Sequence, residues 1–296
     1  MNRIILLMAA LACAALSACA PSAVPIKSEV PDKESVPEPA APQAPSLEAV
    51  IEFDDAVLEG RVRAELGITD RELTTNDAKG ITYLFLSTTP PEEKITSIDA
   101  LRHFADLERL FLTGNQISDI SPLAELKKLK ELAVMSNQIS DLSPLAELKD
   151  LTNLLLSLNQ ISDLSALQKL ENLDCLMLSY NQISVLDPLA GLVNLEDGLY
   201  LNGNQISDIS ALAELKYLKT LALGDNRISD LSALAGLTNL KRLELNVNQI
   251  SDISPLAGLK NLEMLYLDKN DIVDYSPAAD VYERLLHKDF ELSIIE

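Results

Sequence analysis

The chain has 296 residues, with 45 acidic and 24 basic side chains, two histidines, three cysteines and no tryptophan. The net charge of −21 repels nucleic-acid phosphates and anionic lipid head groups, so we expect no nucleic-acid partner and no direct binding to a membrane surface. Histidine and cysteine are too few and too scattered for a metal site. The 57 leucines indicate that one apolar position is repeated many times.

The first residues have the layout of a signal peptide, because Arg3 precedes an apolar run from Ile4 to Ala15 and small residues follow. This run is shorter than the ~20 apolar residues of a membrane-spanning helix. The segment Leu16-Ser17-Ala18-Cys19 resembles the lipobox of bacterial lipoproteins, in which the signal peptide is removed before an acylated cysteine. The alternative is a plain signal-peptidase site near an unmodified cysteine.

The lipobox resemblance implies a signal peptide over residues 1–18 and a covalent lipid on Cys19. We expect no other cofactor. The resemblance also implies that the chain is held in the bacterial cell envelope by this lipid alone. Ala20 stands where an aspartate commonly retains such proteins at the inner membrane, which favours the outer membrane.

Residues 19–46 are expected to form an acylated cysteine and a proline-rich tether. Seven of the fourteen prolines lie between Ala20 and Ser46, where large apolar residues are almost absent. Such a segment cannot build a core and favours extended conformations, so we expect a disordered spacer. Binding of another molecule through the prolines is the alternative.

Residues 47–80 predict a helical N-terminal cap, with a second short helix from Thr74, where Asp77 has capping-box spacing. The residues that carry the first helix are the capping candidates Asp54 and Asp55, the apolar side Val57, Leu58, Val62 and Leu66, and the stop Gly67.

A 22-residue repeat occupies residues 81–275. Leu107, Leu110, Leu112 and Asn115 fit the pattern L-x-x-L-x-L-x-x-N. The asparagine recurs at a spacing of 22, once 23, at Asn137, Asn159, Asn181, Asn204, Asn226, Asn248 and Asn270. A degenerate earlier copy begins at Ile81 and carries extra residues within Thr88 to Lys94.

This repeat predicts an α/β solenoid of about nine coils. The residues around L-x-L are expected to form a parallel sheet on the concave side, with their leucines inward. Each asparagine is expected to turn the chain and to bind backbone groups, with neighbouring copies forming a ladder. Residues 276–296 predict a short C-terminal cap, with a helix near Val281 to Leu286 and an edge strand through Phe290, Leu292 and Ile294.

The repeats of Asn115-Gln-Ile-Ser-Asp-Ile-Ser-Pro-Leu-Ala, behind the cap sequence Phe53–Gly67, resemble the internalin-type leucine-rich repeat domain of bacterial surface proteins. The resemblance runs from Phe53 to about Asp280 and implies a leucine-rich repeat arc that recognises a protein, without naming it. A weaker similarity to the 22-residue repeats of a eukaryotic phosphatase-regulatory family suggests an alternative, a regulatory or inhibitory subunit docked on an envelope enzyme.

The candidate binding residues are those that point outward from the strands, six, four or two positions before each asparagine. They are unusually apolar for a surface, which is typical of interaction sites. The expected partner-binding residues are Tyr83, Phe85, Arg109, Phe111, Met135, Leu155, Met177, Tyr200, Asn202, Arg242, Glu244 and Tyr266. The alternative is that these side chains pack on one another with no partner.

Two irregularities lie in the middle of the array of repeats. Asp197-Gly198 adds one residue before a strand, and Val185 replaces the aspartate that other copies carry at this position. That aspartate otherwise recurs once per coil, as at Asp119, and we expect a solvated row rather than a calcium site. No serine has a base beside it, and Cys175 has no repeated histidine nearby, so we expect no catalytic residue. An enzyme using Cys175 or the acidic row is the remaining alternative to a monomeric protein-binding module.

Overall fold

The computed structural model describes residues 49–88 and 93–292. The predicted signal peptide, Cys19 and nearly all of the proline-rich tether lie outside these residues, as do positions 89–92 of the predicted insertion and Ile294 of the predicted edge strand. Within the described part of the chain, no helix is long and apolar enough to cross a membrane.

Ten parallel strands form one sheet in sequence order, which confirms the predicted leucine-rich repeat solenoid. The strands are β1 Tyr83–Phe85, β2 Arg109–Phe111, β3 Glu131–Ala133, β4 Asn153–Leu155, β5 Cys175–Met177, β6 Gly198–Tyr200, β7 Thr220–Ala222, β8 Arg242–Glu244, β9 Met264–Tyr266 and β10 His287–Lys288. Neighbouring copies pair without offset, so Leu110 lies beside Leu84 and Leu132.

The core lies between the sheet and a row of short 3-10 helices on the opposite, convex side. These helices span Asp99–His103, Ser121–Glu125, Ser143–Leu145, Ser165–Leu167, Asp187–Leu189, Ser210–Leu212, Ser232–Leu234, Ser254–Gly258 and Ser276–Ala278. Each coil contributes leucines and isoleucines that stack on their copies and are almost completely buried. In five of these helices a proline occupies the first turn, where its missing N–H costs no hydrogen bond.

The repeated asparagines join each coil to the one before it. The Asn181 Oδ1 accepts from the Ile161 N–H at 3.0 Å, while its Nδ2 donates to the carbonyls of Leu156 at 3.1 Å and Leu178 at 3.0 Å. Its copies repeat this arrangement along the solenoid. The ladder therefore runs from side-chain amide to backbone, and it satisfies the polar groups at the turn after each strand.

The residue before each of these asparagines has a left-handed backbone, which the sequence does not announce. Glycine occupies this position at Gly114 and Gly203, but the other copies hold ordinary residues at positive φ, among them Leu158 (61°), Tyr180 (59°) and Val247 (58°). At Gly114 a side chain is excluded by space as well, because a Cβ atom would lie 2.3 Å from the Thr88 carbonyl oxygen.

The N-terminal cap contains helix α1, Ala56–Leu66, whose start and stop agree with the sequence prediction. Asp55 is the N-cap and accepts from the Leu58 N–H at 2.9 Å, and Gly67 ends the helix at φ 66°. The predicted second helix is wrong. Asp77 does accept from the Thr74 N–H at 2.8 Å, yet residues 75–80 form turns.

Helix α1 is attached to the first coil by polar side chains, among them Asp55 and Arg61. The second oxygen of Asp55 accepts from the Thr96 N–H at 2.7 Å and the Ser97 N–H at 3.1 Å. Arg61 donates to the Thr88 hydroxyl at 2.6 Å and to the Glu93 carbonyl at 2.7 Å, so it spans the two ends of the sequence insertion.

The C-terminal cap has a short helix, α2 at Ala279–Tyr282, which includes the predicted Val281 but ends before Leu285 and Leu286. The strand also lies earlier than predicted. Strand β10 pairs with β9 through His287 and Lys288. Phe290 instead turns inward and stacks on Tyr275, with ring centroids 5.1 Å apart. The apolar ring closes the end of the core, which is the physical reason that it does not continue a strand.

Candidate binding surface

The outward face of the strands carries every residue expected to bind a partner. Arg109 and the two aromatic residues of β1 are exposed, and Phe111 is half-buried beside them. Tyr200, Asn202, Arg242, Glu244 and Tyr266 are half-buried on the C-terminal half of the sheet. The structure thus divides the expected site into two groups, one at each end of the sheet.

An aromatic cluster formed by Tyr83, Phe85 and Phe111 occupies the N-terminal end. Phe111 stands next to Phe85 in register and contacts both other rings, with centroids 5.7 Å from Tyr83 and 6.0 Å from Phe85. The Arg109 guanidinium lies 5.0 Å from the Tyr83 ring centroid. Phe85 is 50% exposed and Tyr83 41%, so the cluster presents a large apolar area to solvent.

Met135, Leu155 and Met177 differ from the expectation, because all three are buried, at 1%, 5% and 3% exposure. Outward side chains of neighbouring strands stand in register, so Met177 lies between Leu155 and Tyr200. A residue in the middle of such a row is covered by a side chain on each side. The repeat pattern alone predicts only that it points outward from the strand. The aromatic cluster, rather than these residues, is the exposed apolar part of the predicted site.

A polar cluster formed by Asn202, Arg242 and Glu244 occupies the C-terminal half. Glu244 forms an ion pair with Arg242 and accepts from the Asn202 amide at 2.8 Å. Asn202 accepts in turn from the Gly224 N–H at 2.6 Å. Arg242 also lies 5.4 Å from the Tyr266 ring centroid. The cluster spans three coils and is satisfied internally, so it fixes the shape of this half of the face.

The repeat with the extra residue seats two tyrosine rings on glycines. A Cβ atom on Gly198 would lie 2.6 Å from the ring of Tyr200, and one on Gly203 would lie 2.3 Å from the ring of Tyr180. Burial raises the pKa of the Tyr200 phenol, against a hydrogen bond with Thr220 that lowers it. The irregularity that the sequence shows at Asp197-Gly198 therefore has a packing consequence.

Tyr180 is a surface residue that sequence reasoning missed. It lies one position before an asparagine, a place treated as part of the turn. Burial raises the pKa of its phenol, and the carboxylates of Asp225 and Glu244 raise it further. The available indication was compositional: glycine follows one coil later at Gly203, so a large neighbour could cover it.

The row of aspartates on the convex side has a structural role. In each regular copy the aspartate accepts from the backbone N–H of the serine two residues on, as for Asp163 and Ser165 at 2.8 Å. This bond lowers the pKa of Asp163, as it does for three other copies. No group of three potential metal ligands occurs among the described residues, and Cys175 is completely buried.

Comparison with known proteins places these features in a family. The model for "Leucine rich repeat" matches residues 216–272, and the model for "Leucine Rich repeats (2 copies)" matches residues 105–147 and 171–214. Internalin C2 of Listeria monocytogenes is 38% identical, with a TM-score of 0.69, over 76% of this chain and 100% of that chain. The chain belongs to the internalin-type leucine-rich repeat proteins.

Other solved structures share the leucine-rich repeat fold. Internalin F of Listeria monocytogenes is 30% identical, with a TM-score of 0.52, over 85% of this chain and 100% of that chain. The ectodomain of the Arabidopsis thaliana receptor kinase GASSHO1/SCHENGEN3, in complex with CASPARIAN STRIP INTEGRITY FACTOR 2, is 26% identical over 68% of this chain and 26% of that chain, with a TM-score of 0.60. No curated protein sequence matches significantly. Leucine-rich repeat domains are typically interaction modules rather than enzymes.

Proposed function

We propose that this internalin-type protein binds a protein partner non-covalently through its concave face. The exposed aromatic cluster of Tyr83, Phe85 and Phe111 is the observation that carries the proposal, since contiguous exposed aromatic rings are typical of binding hot spots. The structure of a related plant receptor in complex with another molecule supports the same use of the fold. The net charge of −21 favours a neutral or basic partner.

We further propose that the mature chain is an envelope lipoprotein. The lipobox-like segment ending at Cys19 supports acylation of that residue, and Ala20 favours the outer membrane. The proline-rich tether would then hold the repeats away from the lipid. Replacing Cys19→Ser should abolish metabolic labelling with a radioactive fatty acid and release the protein from the membrane fraction. Equal labelling of the parent and the variant would contradict the anchor.

The binding proposal is tested by crosslinked affinity capture on intact cells. A triple variant, Tyr83→Ser, Phe85→Ser and Phe111→Ser, should capture at least ~10-fold less of the partner than the parent, because it removes the hot spot without touching the core. The matched control replaces three exposed apolar residues away from this cluster, Val185→Ser, Tyr217→Ser and Val273→Ser.

The control should capture the partner as well as the parent does. Circular dichroism and urea unfolding show whether both triple variants are folded. A folded aromatic-cluster variant that captures the partner at the parental level would refute the concave-face assignment.

A further inference from the structure

Among the residues that directly precede the repeated asparagines, Tyr180 is the one whose aromatic ring lies over the next coil. Tyr180, Gly203 and Asp225 occupy this position in three successive coils, all with positive φ. The Tyr180 ring covers Gly203, which has no side chain to hold it away. Adjacent strands are ~4.8 Å apart, so the backbones of Tyr180 and Asp225, which are two coils apart, are separated by roughly 10 Å across the sheet. The tyrosine side chain spans most of this distance.

The carboxylates beside this ring are not equivalent. Both oxygens of Glu244 are engaged, one by Arg242 and the other by the Asn202 amide. Asp225 makes no side-chain hydrogen bond or ion pair with any described residue and is exposed. The only basic side chain in the neighbouring polar cluster, Arg242, is already paired with Glu244. Asp225 thus presents to solvent, near this ring, a carboxylate that no described basic side chain pairs.

We propose that Tyr180 and Asp225 form a subsite for a basic side chain of the protein partner, with arginine as its best occupant. A guanidinium group can stack on an aromatic face while it donates to a carboxylate, and both groups are presented here by adjacent parts of one surface. The charge of −21 on the chain disfavours an acidic occupant. This inference rests on the proposed function and specifies the chemistry of the partner.

The left-handed backbone position that Tyr180 and Asp225 occupy tolerates several residue types, so each side chain can be replaced without changing the backbone. Leucine already occupies the equivalent place at Leu158, with φ 61°, so Tyr180→Leu removes the aromatic face without a new backbone demand. Asp225→Asn removes the charge and keeps the shape. Asp150→Asn is the matched control, because Asp150 is also exposed and forms no hydrogen bond or ion pair in the described part of the chain.

The experiment measures binding of the peptide acetyl-Ala-Arg-Ala-amide to the full chain by NMR of labelled tyrosine rings. The Tyr180 resonance is assigned from its loss in Tyr180→Phe. We expect this resonance to shift and saturate with a dissociation constant in the range of about 1–10 mM. The twin peptide with citrulline, which has the same shape and no charge, should bind at least ~5-fold more weakly.

Asp225→Asn and Tyr180→Leu should each weaken binding of the arginine peptide by about 3-fold to 10-fold, with the peptide's own resonances as reporter in the second case. Asp150→Asn should bind like the parent. The subsite is overturned if no shift appears at about 20 mM peptide, if citrulline binds equally, or if Asp225→Asn has no effect. Partner capture by the concave face is measured separately, so a failed peptide test together with intact partner capture would reject this subsite and leave the proposed function standing.

Discussion

The two faces of the sheet differ although the same strands build them. The middle residue of each of the strands β1 to β9 points inward, is leucine in every copy and is at most 1% exposed. The residues on either side point outward and change from copy to copy, from Tyr83 and Phe85 in β1 to Arg242 and Glu244 in β8. Stacking between coils requires leucine at the inward position, whereas it does not determine which residues occupy the outward positions.

The inward residues therefore stabilise the solenoid, whereas the outward residues are available for contacts with a partner. An inward leucine contacts its own copies on both sides, so each coil constrains the next. An outward residue can change without disturbing the stack, provided that its neighbours still fit. The aromatic cluster, the polar cluster and the Tyr180–Asp225 subsite all lie on or beside the outward face.

The comparison is tested most directly on two adjacent residues of β1. Leu84→Ala should lower the free energy of unfolding by about 3 kcal/mol, since it leaves a cavity in the core. Phe85→Ala should cost less than ~1 kcal/mol and mainly reduce partner capture. Urea unfolding measures both variants. A loss for Phe85→Ala as large as that for Leu84→Ala would make the outward face structural.

The asparagine ladder gives the next largest effect. Asn181→Ala should lower the free energy of unfolding by about 2–3 kcal/mol, because it leaves the buried N–H of Ile161 without its partner and removes one of the two amide donors at each of the Leu156 and Leu178 carbonyls. Asn194→Ala is the control, since Asn194 is exposed and makes one bond, to the Glu171 carbonyl at 2.8 Å. It should cost no more than about 1 kcal/mol. Equal losses in the two variants would contradict a special role for the ladder.

The inward face could be predicted from the sequence because one position repeats every 22 residues. The strands, their parallel order, the buried leucines and the first helix follow from that period and from the residues around Asp55 and Gly67. Their physical cause is local, so a local pattern reveals it. The role of the acidic row was also visible, since a serine follows each aspartate two residues later, but solvation alone was expected.

The outward face was only partly predictable, because its burial depends on neighbours in space. Met177 and Phe111 hold the same repeat position, yet one is buried and the other half-exposed. The left-handed residues were missed for a different reason. Leucine, tyrosine and valine do not favour positive φ, and only the completed ladder after each strand requires it. Tyr180 was overlooked on the same account.

The attachment of the N-terminal cap should depend on pH. Burial raises the pKa of Asp55, but its hydrogen bonds with Thr96, Leu58 and Ser97 outweigh this and hold the pKa below its ordinary value of 3.8. The stabilisation is therefore complete above about pH 4 and is lost as the pH falls through the lowered pKa of the folded state.

Asp55→Asn should lower the free energy of unfolding by about 1–2 kcal/mol at neutral pH. The difference from the parent should shrink as the pH falls below 4, because the parent then loses its own carboxylate. Urea unfolding of both proteins across this pH range measures the effect. Acid-sensitive residues elsewhere cancel in the comparison. A difference that stays constant with pH would show that the charge of Asp55 does not hold the cap.

The smallest effect is expected where the scaffold tolerates strain. Val247 holds a left-handed backbone at φ 58°, which is costly for a β-branched residue, while asparagine adopts this conformation readily. Val247→Asn should therefore raise the free energy of unfolding by about 0.5–1 kcal/mol. Val193→Asn is the control, because Val193 is an exposed valine without positive φ and should gain nothing. If both substitutions have the same effect, the left-handed turn is not strained at valine, and this position belongs with the freely variable outward residues rather than with the scaffold.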